Sequence, residues 1–288
     1  MAKAYHEALK PLGNLGIQTS MGELKNPHIP AHWHEAMEIL FCLSGSVQIQ
    51  KEQEHITLRH GQLIVFDSRE VHSIHSDSSL YIFLCIHVDK KNLSFYCPSL
   101  ELYHIACNPI SSEDPKYPRY EHLCDLAKDL TYSCLDSDLT SAMRSDGTAL
   151  LLLSDLILYF SVYTPPGSIT STEHSNDVLR EIISYVNENY KEKIFLNEIA
   201  KMTGFSKEYL CRFFKKHMGI TLMKYLNEVR ISHAGWLLTS TDLSISEVMS
   251  TSGFTNQTMF NQLFKEIYGV TPRQARNHRQ DPQPTFQK

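Results

Sequence analysis

The sequence predicts an α+β chain of two domains: a β-rich N-terminal half followed by helices, and an all-α C-terminal unit made of two helix-turn-helix elements. Three observations carry this. Short alternating or apolar runs fill residues 14–90, a Pro, Gly, Ser and Thr stretch interrupts the chain at 164–172, and one helical pattern beyond it occurs twice about fifty residues apart. With 288 residues, 42% of them hydrophobic, the chain is long enough for two ordinary cores.

The β region comes first. Residues 39–50, 62–67 and 80–88 read as strands separated by Ser-Gly, His-Gly and Asp-Ser-Ser turns. Many short strands with tight turns predict a small sandwich or barrel. Within them lie His32-x-His34-x3-Glu38-x6-Gly45 and Gly61-x10-His72, and period-two alternation puts His32 and His34 on one strand face. This spacing resembles the two cupin motifs, in which two histidines, a glutamate and a third histidine point into a β-barrel. The resemblance implies a cupin-like barrel of residues 1–110, with His32, His34, Glu38 and His72 as effector contacts. The same three imidazoles and carboxylate are also a donor set for Zn²⁺, Mn²⁺, Fe²⁺ or Ni²⁺. The pattern departs from catalytic cupins at Asp67-Ser68-Arg69, where those have Pro-x-Gly, and at 74–76, which lacks their asparagine. Sensor cupins keep the His/Glu signature without using metal. The expectation is therefore no catalysis and no cofactor, with a divalent metal at those four residues as the alternative. Trp33, Phe41, Phe66, Tyr81 and Phe83 are available as pocket walls, but alternation alone does not say which point inward.

Two helices are predicted next, at 117–135 and 139–163, and the second is rich in leucine on more than one face. A helix apolar nearly all round is buried on several sides, so this one serves the domain core, a dimer interface, or both on different faces. Residues 111–163 are read as a helical dimerisation segment and 164–176, with Thr164-Pro-Pro-Gly-Ser, as a linker.

In the C-terminal unit, Leu196-Asn-Glu-Ile-Ala-x3-Gly204-Phe205-Ser206 returns as Ile245-Ser-Glu-Val-Met-x3-Gly253-Phe254-Thr255. Likewise Phe214-Lys215-x3-Gly219-Ile220-Thr221 returns as Phe264-Lys265-x3-Gly269-Val270-Thr271. The offset is 49 in the first half and 50 in the second, so the second copy carries one extra residue after its Gly-Phe. An apolar helical period running into a glycine and then a capping hydroxyl predicts helix, turn, helix. Phe205 is placed to staple onto Leu210, and Ser244 with Glu247 has capping-box spacing. On each second helix an apolar side (Tyr209, Leu210, Phe213, Phe214; Met259, Phe260, Leu263, Phe264) leaves a polar side free. That free side holds Lys207, Glu208, Cys211, Arg212 and Lys215, with Lys216 beside them, in one copy, and Asn256, Gln257, Thr258, Asn261 and Gln262 in the other. Arg, Asn and Gln have the hydrogen-bonding geometry that reads base edges in the major groove.

Residues 177–279 resemble the DNA-binding domain of the AraC/XylS family of bacterial transcription regulators. The marks are the doubled Gly-Phe-Ser/Thr elements, the segment Tyr225-Leu226-Asn-Glu-Val229-Arg230-Ile231-x-x-Ala234-x-x-Leu237-Leu238, and the closing Gly269-Val270-Thr271-Pro272-x-x-Ala275-Arg276. The resemblance implies a long linker helix at 222–238 that holds two recognition helices about one 34 Å turn of B-DNA apart. It also implies that the ten polar-side residues named above face double-stranded DNA, with Arg230, Arg273 and Arg276 structural or facing phosphate. Further implications are a small-molecule effector (a sugar is the family habit), a homodimer, RNA polymerase as partner, and activation. The rival readings are a metal-dependent cupin enzyme fused to a DNA-binding tail, and a constitutive dimeric regulator with no effector. One departure is Met249, where the family usually has alanine.

The chain carries a formal net charge of −5, but from Asp177 onward 15 Lys and Arg stand against 11 Asp and Glu, leaving 12 against 21 before it. The sign of that asymmetry suits a DNA-contacting unit joined to an acidic partner domain, with modest non-specific affinity. The N-terminus has no apolar signal core, the apolar run 149–163 is short and contains Asp155, and seven cysteines show no Cys-x-x-Cys pair. These features predict a cytoplasmic protein without membrane contact or disulfide framework. Residues 280–288 are read as a tail.

Overall fold

The computed structural model describes residues 10–12, 17–24, 27–51, 54–75, 80–165 and 171–277, so the predicted tail and residues 166–170 of the predicted linker lie outside the described residues. The chain divides into two compact units; among the described residues the first is built on residues 10–27 and 32–176 and the second on residues 28–31 and 177–277.

The N-terminal part of the chain contains strands β1 (Lys10–Leu12), β2 (Ile17–Leu24), β3 (His28–His32), β4 (Met37–Ser44), β5 (Ser46–Lys51), β6 (Glu54–Arg59), β7 (Leu63–Phe66), β8 (His72–His75), β9 (Tyr81–Val88) and β10 (Tyr103–Ile105), of which residues 28–31 in β3 cluster with the second unit. Helices α1 (Tyr117–Leu135) and α2 (Ser141–Phe160) and strand β11 (Ser161–Tyr163) follow. One sheet runs β1-β2-β9-β4-β7, a second β3-β8-β5-β6, and β10 pairs with β11. Among the described residues the two large sheets are not joined into a closed barrel, so the cupin-like unit is a β-sandwich. The single run expected at 39–50 breaks at Gly45, which takes φ +83° and lies against the Leu80 carbonyl. There the chain leaves one sheet and enters the other. The end of the helix expected at 139–163 is strand instead, because Ser161, Val162 and Tyr163 pair antiparallel with Ile105, His104 and Tyr103.

Alternation divides the first sheet into two faces. Met37, Ile39 and Phe41 of β4 and Leu84, Ile86 and Val88 of β9 pack with Leu123, Leu130, Leu152 and Leu156 of α1 and α2, forming the main core. Glu38 pairs across strands with His87 and Leu40 with Cys85, so these four belong to the opposite face, toward the second sheet. Phe41 is thus a helix-side core residue rather than a pocket wall. Phe66 is on the inner side, stacked on His72 at 3.9 Å, and Tyr81 and Phe83 stack at 5.4 Å.

Asp67-Ser68-Arg69, where the motif departs from catalytic cupins, forms the turn after β7. Arg69 adopts φ +65°, the left-handed conformation a glycine takes without strain, and its amide donates to the His34 carbonyl at 2.8 Å. Asp67 is buried and accepts from Lys90 Nζ (2.5 Å), His104 Nδ1 (3.0 Å) and the Ile105 amide (3.0 Å). Burial opposes its charge, yet those partners hold the carboxyl below its ordinary range. The Asp67 hydrogen bond in turn raises His104 above the ordinary imidazole range. A histidine raised in this way contributes stability that is complete below about pH 6.5 and is lost as pH rises through its folded value. Half of the His104 side chain is exposed, so the contribution is no more than about 1 kcal/mol after solvent screening. Thermal unfolding at about pH 6 and pH 8 is expected to show a slightly larger loss at high pH in the native chain than in His104→Gln. Identical pH dependence in the two would contradict the pairing.

The second unit contains α3 (Ser171–Asn189) from Asp177 onward, α4 (Leu196–Thr203), α5 (Lys207–Met218), α6 (Leu222–Ser240), α7 (Ile245–Thr251), α8 (Gln257–Tyr268) and α9 (Pro272–Asn277). Helix α6, the expected linker helix, serves both copies. Tyr225 meets Phe214 of α5 at 5.5 Å, while Ile231, Ala234 and Leu238 pack with Val248, Phe254, Phe260 and Phe264. No helix among the described residues is long and apolar enough to cross a membrane, and all seven cysteines are free thiols.

Candidate functional site

Two places concentrate chemistry. The first is the polar side of α5 and α8. In the first copy Gly204 ends α4 with φ +72°, and Ser206 Oγ accepts from the Tyr209 amide, as expected of a cap. In the second copy the cap is not Thr255: Asn256 Oδ1 accepts from the Met259 amide at 2.9 Å. The extra residue is therefore spent in the turn, which lengthens by one while both second helices keep 12 residues. From the caps onward every position is related by 50, so Lys207, Glu208, Cys211 and Arg212 correspond to Gln257, Thr258, Asn261 and Gln262. All eight, with Lys215 and Asn256, are exposed. The capping box at Ser244 and Glu247 is present.

The apolar sides differ from expectation in one respect. Leu210, Phe213, Phe214, Phe260 and Phe264 are buried, but Tyr209 is 47% and Met259 41% exposed. These two corresponding residues sit at the margin of the polar side. Phe205 meets the rings of Tyr209 and Phe213, at centroid distances of 4.6 and 5.3 Å. Arg230 is structural. Its Nε donates to the Tyr190 carbonyl at 2.7 Å and Nη2 to the Glu192 carbonyl at 2.8 Å, and it lies over the Phe254 ring. Met249 is half-buried against the second-copy core.

The second place is the interior of the sandwich. His32, His34, Glu38 and His72 come together with one donor atom of each within 4.8 Å of the others. Glu38 is at the centre: His34 Nε2 is 2.8 Å from its Oε2, His87 Nε2 3.4 Å and His72 Nε2 3.8 Å. Burial opposes the Glu38 charge, but the His34 and His87 hydrogen bonds hold the carboxyl well below its ordinary range. His34 Nδ1 faces the Ala36 carbonyl at 2.6 Å. Both His34 nitrogens thus meet acceptors, which requires an imidazolium; burial works against that charge, but Glu38 outweighs it and the pKa is raised.

His72 is the reverse case. Its Nδ1 faces the Glu70 carbonyl at 3.1 Å, so that nitrogen carries the proton. Its Nε2 is then a bare lone pair, fully buried, without a hydrogen-bond partner, pointing at a carboxylate. Burial, and next the neighbouring His32, keep the ring neutral. A buried lone pair opposing a carboxylate is repulsive unless a cation or a proton donor lies between them, and the donor set is one that transition metals accept. The residues present therefore fit a divalent metal ion.

Sequence reasoning missed His87 and Cys85, which join Glu38 in a second donor group within 4.8 Å. The available signal was their alternation with Tyr81 and Phe83 on one strand, but only the β4–β9 register shows that they face Glu38.

Comparison with known proteins matches a domain family to each part of the chain. Residues 199–278 match a helix-turn-helix domain family and residues 24–87 a cupin domain family. The uncharacterized HTH-type transcriptional regulator YbfI of Bacillus subtilis (strain 168) is 27% identical over 235 residues, covering 79% of this chain and 80% of that protein. The melibiose operon regulatory protein of Escherichia coli (strain K12) is 22% identical over 289 residues, covering 92% and 89%. Among solved structures, a transcriptional regulator (AraC-type DNA-binding domain-containing proteins) from Chromobacterium violaceum is 31% identical, covers 38% of this chain and 98% of its own, and superposes with a TM-score of 0.36.

Proposed function

Because this chain belongs to the AraC/XylS family of transcription regulators, we propose that a small molecule bound inside the cupin unit controls which DNA sites the second unit occupies. The observation that supports this best is the conjunction of two exposed polar helix faces with a buried polar cluster around Glu38 inside the sandwich. A buried carboxylate ringed by histidines is costly to keep, and a ligand that satisfies it in one domain arrangement better than another shifts the population between arrangements.

Under this reading Lys207, Glu208, Cys211, Arg212, Lys215, Asn256, Gln257, Thr258, Asn261 and Gln262 face double-stranded DNA. Asn256 differs from the rest, since its carbonyl oxygen is engaged in capping and only its amide group is left to donate. His32, His34, Glu38 and His72 contact the effector. A divalent metal, where bound, would be held by those four residues and would offer Lewis-acid coordination to ligand hydroxyls; the chain's own groups orient the ligand and exclude water. The effector class is a sugar, a reading supported by the likeness to a melibiose operon regulator. The domain divisions 1–110, 111–163, 164–176, 177–279 and 280–288, the cytoplasmic setting, activation through RNA polymerase, and the absence of catalysis belong to the same proposal.

The functional form is a homodimer. On α2 the buried face carries Ala149, Leu152, Leu153 and Leu156, while Met143 (77%), Leu151 (59%) and Leu158 (67%) form a second, exposed stripe at helical spacing. Leu151→Glu is expected to turn a dimer into a monomer in sedimentation while the chain keeps its folded circular-dichroism spectrum and loses the concentration dependence of its melting temperature.

The sensing step is tested by thermal unfolding of the full chain with a sugar panel that includes melibiose. One sugar is expected to raise the transition, by RT ln(1 + [L]/Kd), and to lose that effect in Glu38→Gln. No shift with any sugar, together with unchanged reporter output, would leave the constitutive regulator as the better account.

A further inference from the structure

We infer that the sandwich interior is a transition-metal site in which Cys85 supplies a thiolate and His87 an imidazole beside Glu38, the carboxylate being shared between these and the neighbouring His32, His34 and His72 group. This rests on the interior being the sensor's ligand site, and it adds donors that the cupin motifs do not contain. Three observations lead to it. The His72 Nε2 lone pair is fully buried, has no hydrogen-bond partner and faces Glu38. Glu38, Cys85 and His87 form a second group of ligand atoms within 4.8 Å, contiguous with the first through the shared carboxylate. The register that places His87 opposite Glu38 places Cys85 on the same face two residues away, its Sγ 3.7 Å from His87 Nδ1.

The chemistry of this wider set is selective. Three imidazoles and a carboxylate accept many divalent ions, but a thiolate and another imidazole favour borderline ions such as Zn²⁺ or Co²⁺ over Mg²⁺ or Mn²⁺. The Cys85 thiol carries a proton that it must lose to ligate as a thiolate. An ion displaces that proton, together with the one shared by His34 and Glu38, and the released protons leave as solvent acid. No oxidant or reductant is involved. The inference runs against the sequence expectation of no cofactor, which rested on motif departures at Asp67-Ser68-Arg69 and at 74–76 and on the habit of sensor cupins, none of which concerns the donor atoms themselves.

The test uses the full-length chain, stripped with chelator and titrated with Co²⁺. One Co²⁺ per chain is expected, with visible d–d absorption and a sulfur-to-cobalt charge-transfer band in the near ultraviolet; Zn²⁺ bleaches both and Mg²⁺ neither. Cys85→Ser is expected to remove the charge-transfer band while keeping d–d absorption, Cys42→Ser to change nothing, and His72→Ala to weaken binding by about 10-fold or more. The unfolding transition of each variant confirms that it is folded. Co²⁺ bound without a charge-transfer band, or with one that survives Cys85→Ser, removes the thiolate. No Co²⁺ retained at all removes the metal site. Enrichment of a DNA motif by the same preparation is the separate test of the regulator, so the two failures are distinguishable.

Discussion

Gly253→Ala is expected to destabilise the second unit by about 2 to 5 kcal/mol, whereas Gly204→Ala, at the corresponding position of the other copy, costs only about 1 kcal/mol. Both glycines take positive φ, +82° and +72°, so both substitutions bear the left-handed strain of an L residue. Only Gly253 also lacks room. A Cβ there would lie 2.8 Å from the Tyr190 carbonyl oxygen, 2.9 Å from that of Lys191 and 3.0 Å from Arg230 Nε, whereas nothing lies within 4 Å of one at Gly204. The crowding has a cause. Arg230 ties the end of α3 to the second turn by donating to Tyr190 and Glu192, and Gly253 is where that clamp meets the chain. The chain has two tryptophans, Trp33 in the first unit and Trp236 on α6. Guanidinium unfolding followed at Trp236 in a Trp33→Phe background therefore isolates the second unit. Equal costs at the two glycines would mean that the clamp does not constrain the turn.

Arg212→Ala and Gln262→Ala are each expected to cost about 1–3 kcal/mol at one base pair or two, and to relax specificity there without a uniform loss over all sequences. The two residues occupy corresponding positions on α5 and α8, both exposed on the polar side. Helix α6 has 19 residues and so is roughly 28 Å long, which suits recognition helices placed about one turn of B-DNA apart. The affected base pairs should accordingly lie about 10 base pairs from one another, and the double substitution should be additive, since well-separated contacts couple little. Competition binding against a library of single-base operator variants measures this. A uniform loss, accompanied by a smaller salt slope, would identify the side chain as a phosphate contact.

Much of the second unit was legible in the sequence because local chemistry decides it. Gly204, Ser206, Ser244 with Glu247, and the Gly269-Val270-Thr271 close each act within one turn of helix, and the structure has them as read. Where two local signals competed, the reading failed. Thr255 and Asn256 are both good caps, and the extra residue in the turn hands the role to Asn256. Tyr209 and Met259 read as packing residues by period, but they stand at the edge of the apolar stripe, where burial depends on what α6 covers.

The first unit was legible in type and not in register. The His32, His34, Glu38 and His72 set follows from motif spacing and does converge. His87 and Cys85 are brought to Glu38 by cross-strand pairing of β4 with β9, and a register shifted by one residue would turn both away. The same dependence explains Phe41, which is as aromatic as Phe66 yet faces the helices. Sheet closure is likewise a matter of which edges meet, and alternation says nothing of that.

The central claim is that one chain reads DNA twice. Its most direct test is selection of genomic DNA fragments by the purified full-length protein at moderate salt, with a truncation beginning at Asp177 in parallel. The account predicts that both recover one asymmetric motif of two sub-elements about 10 base pairs apart, and that the full-length protein adds a second copy at fixed spacing. Recovery of a single short element, or of no motif by either protein, would contradict it.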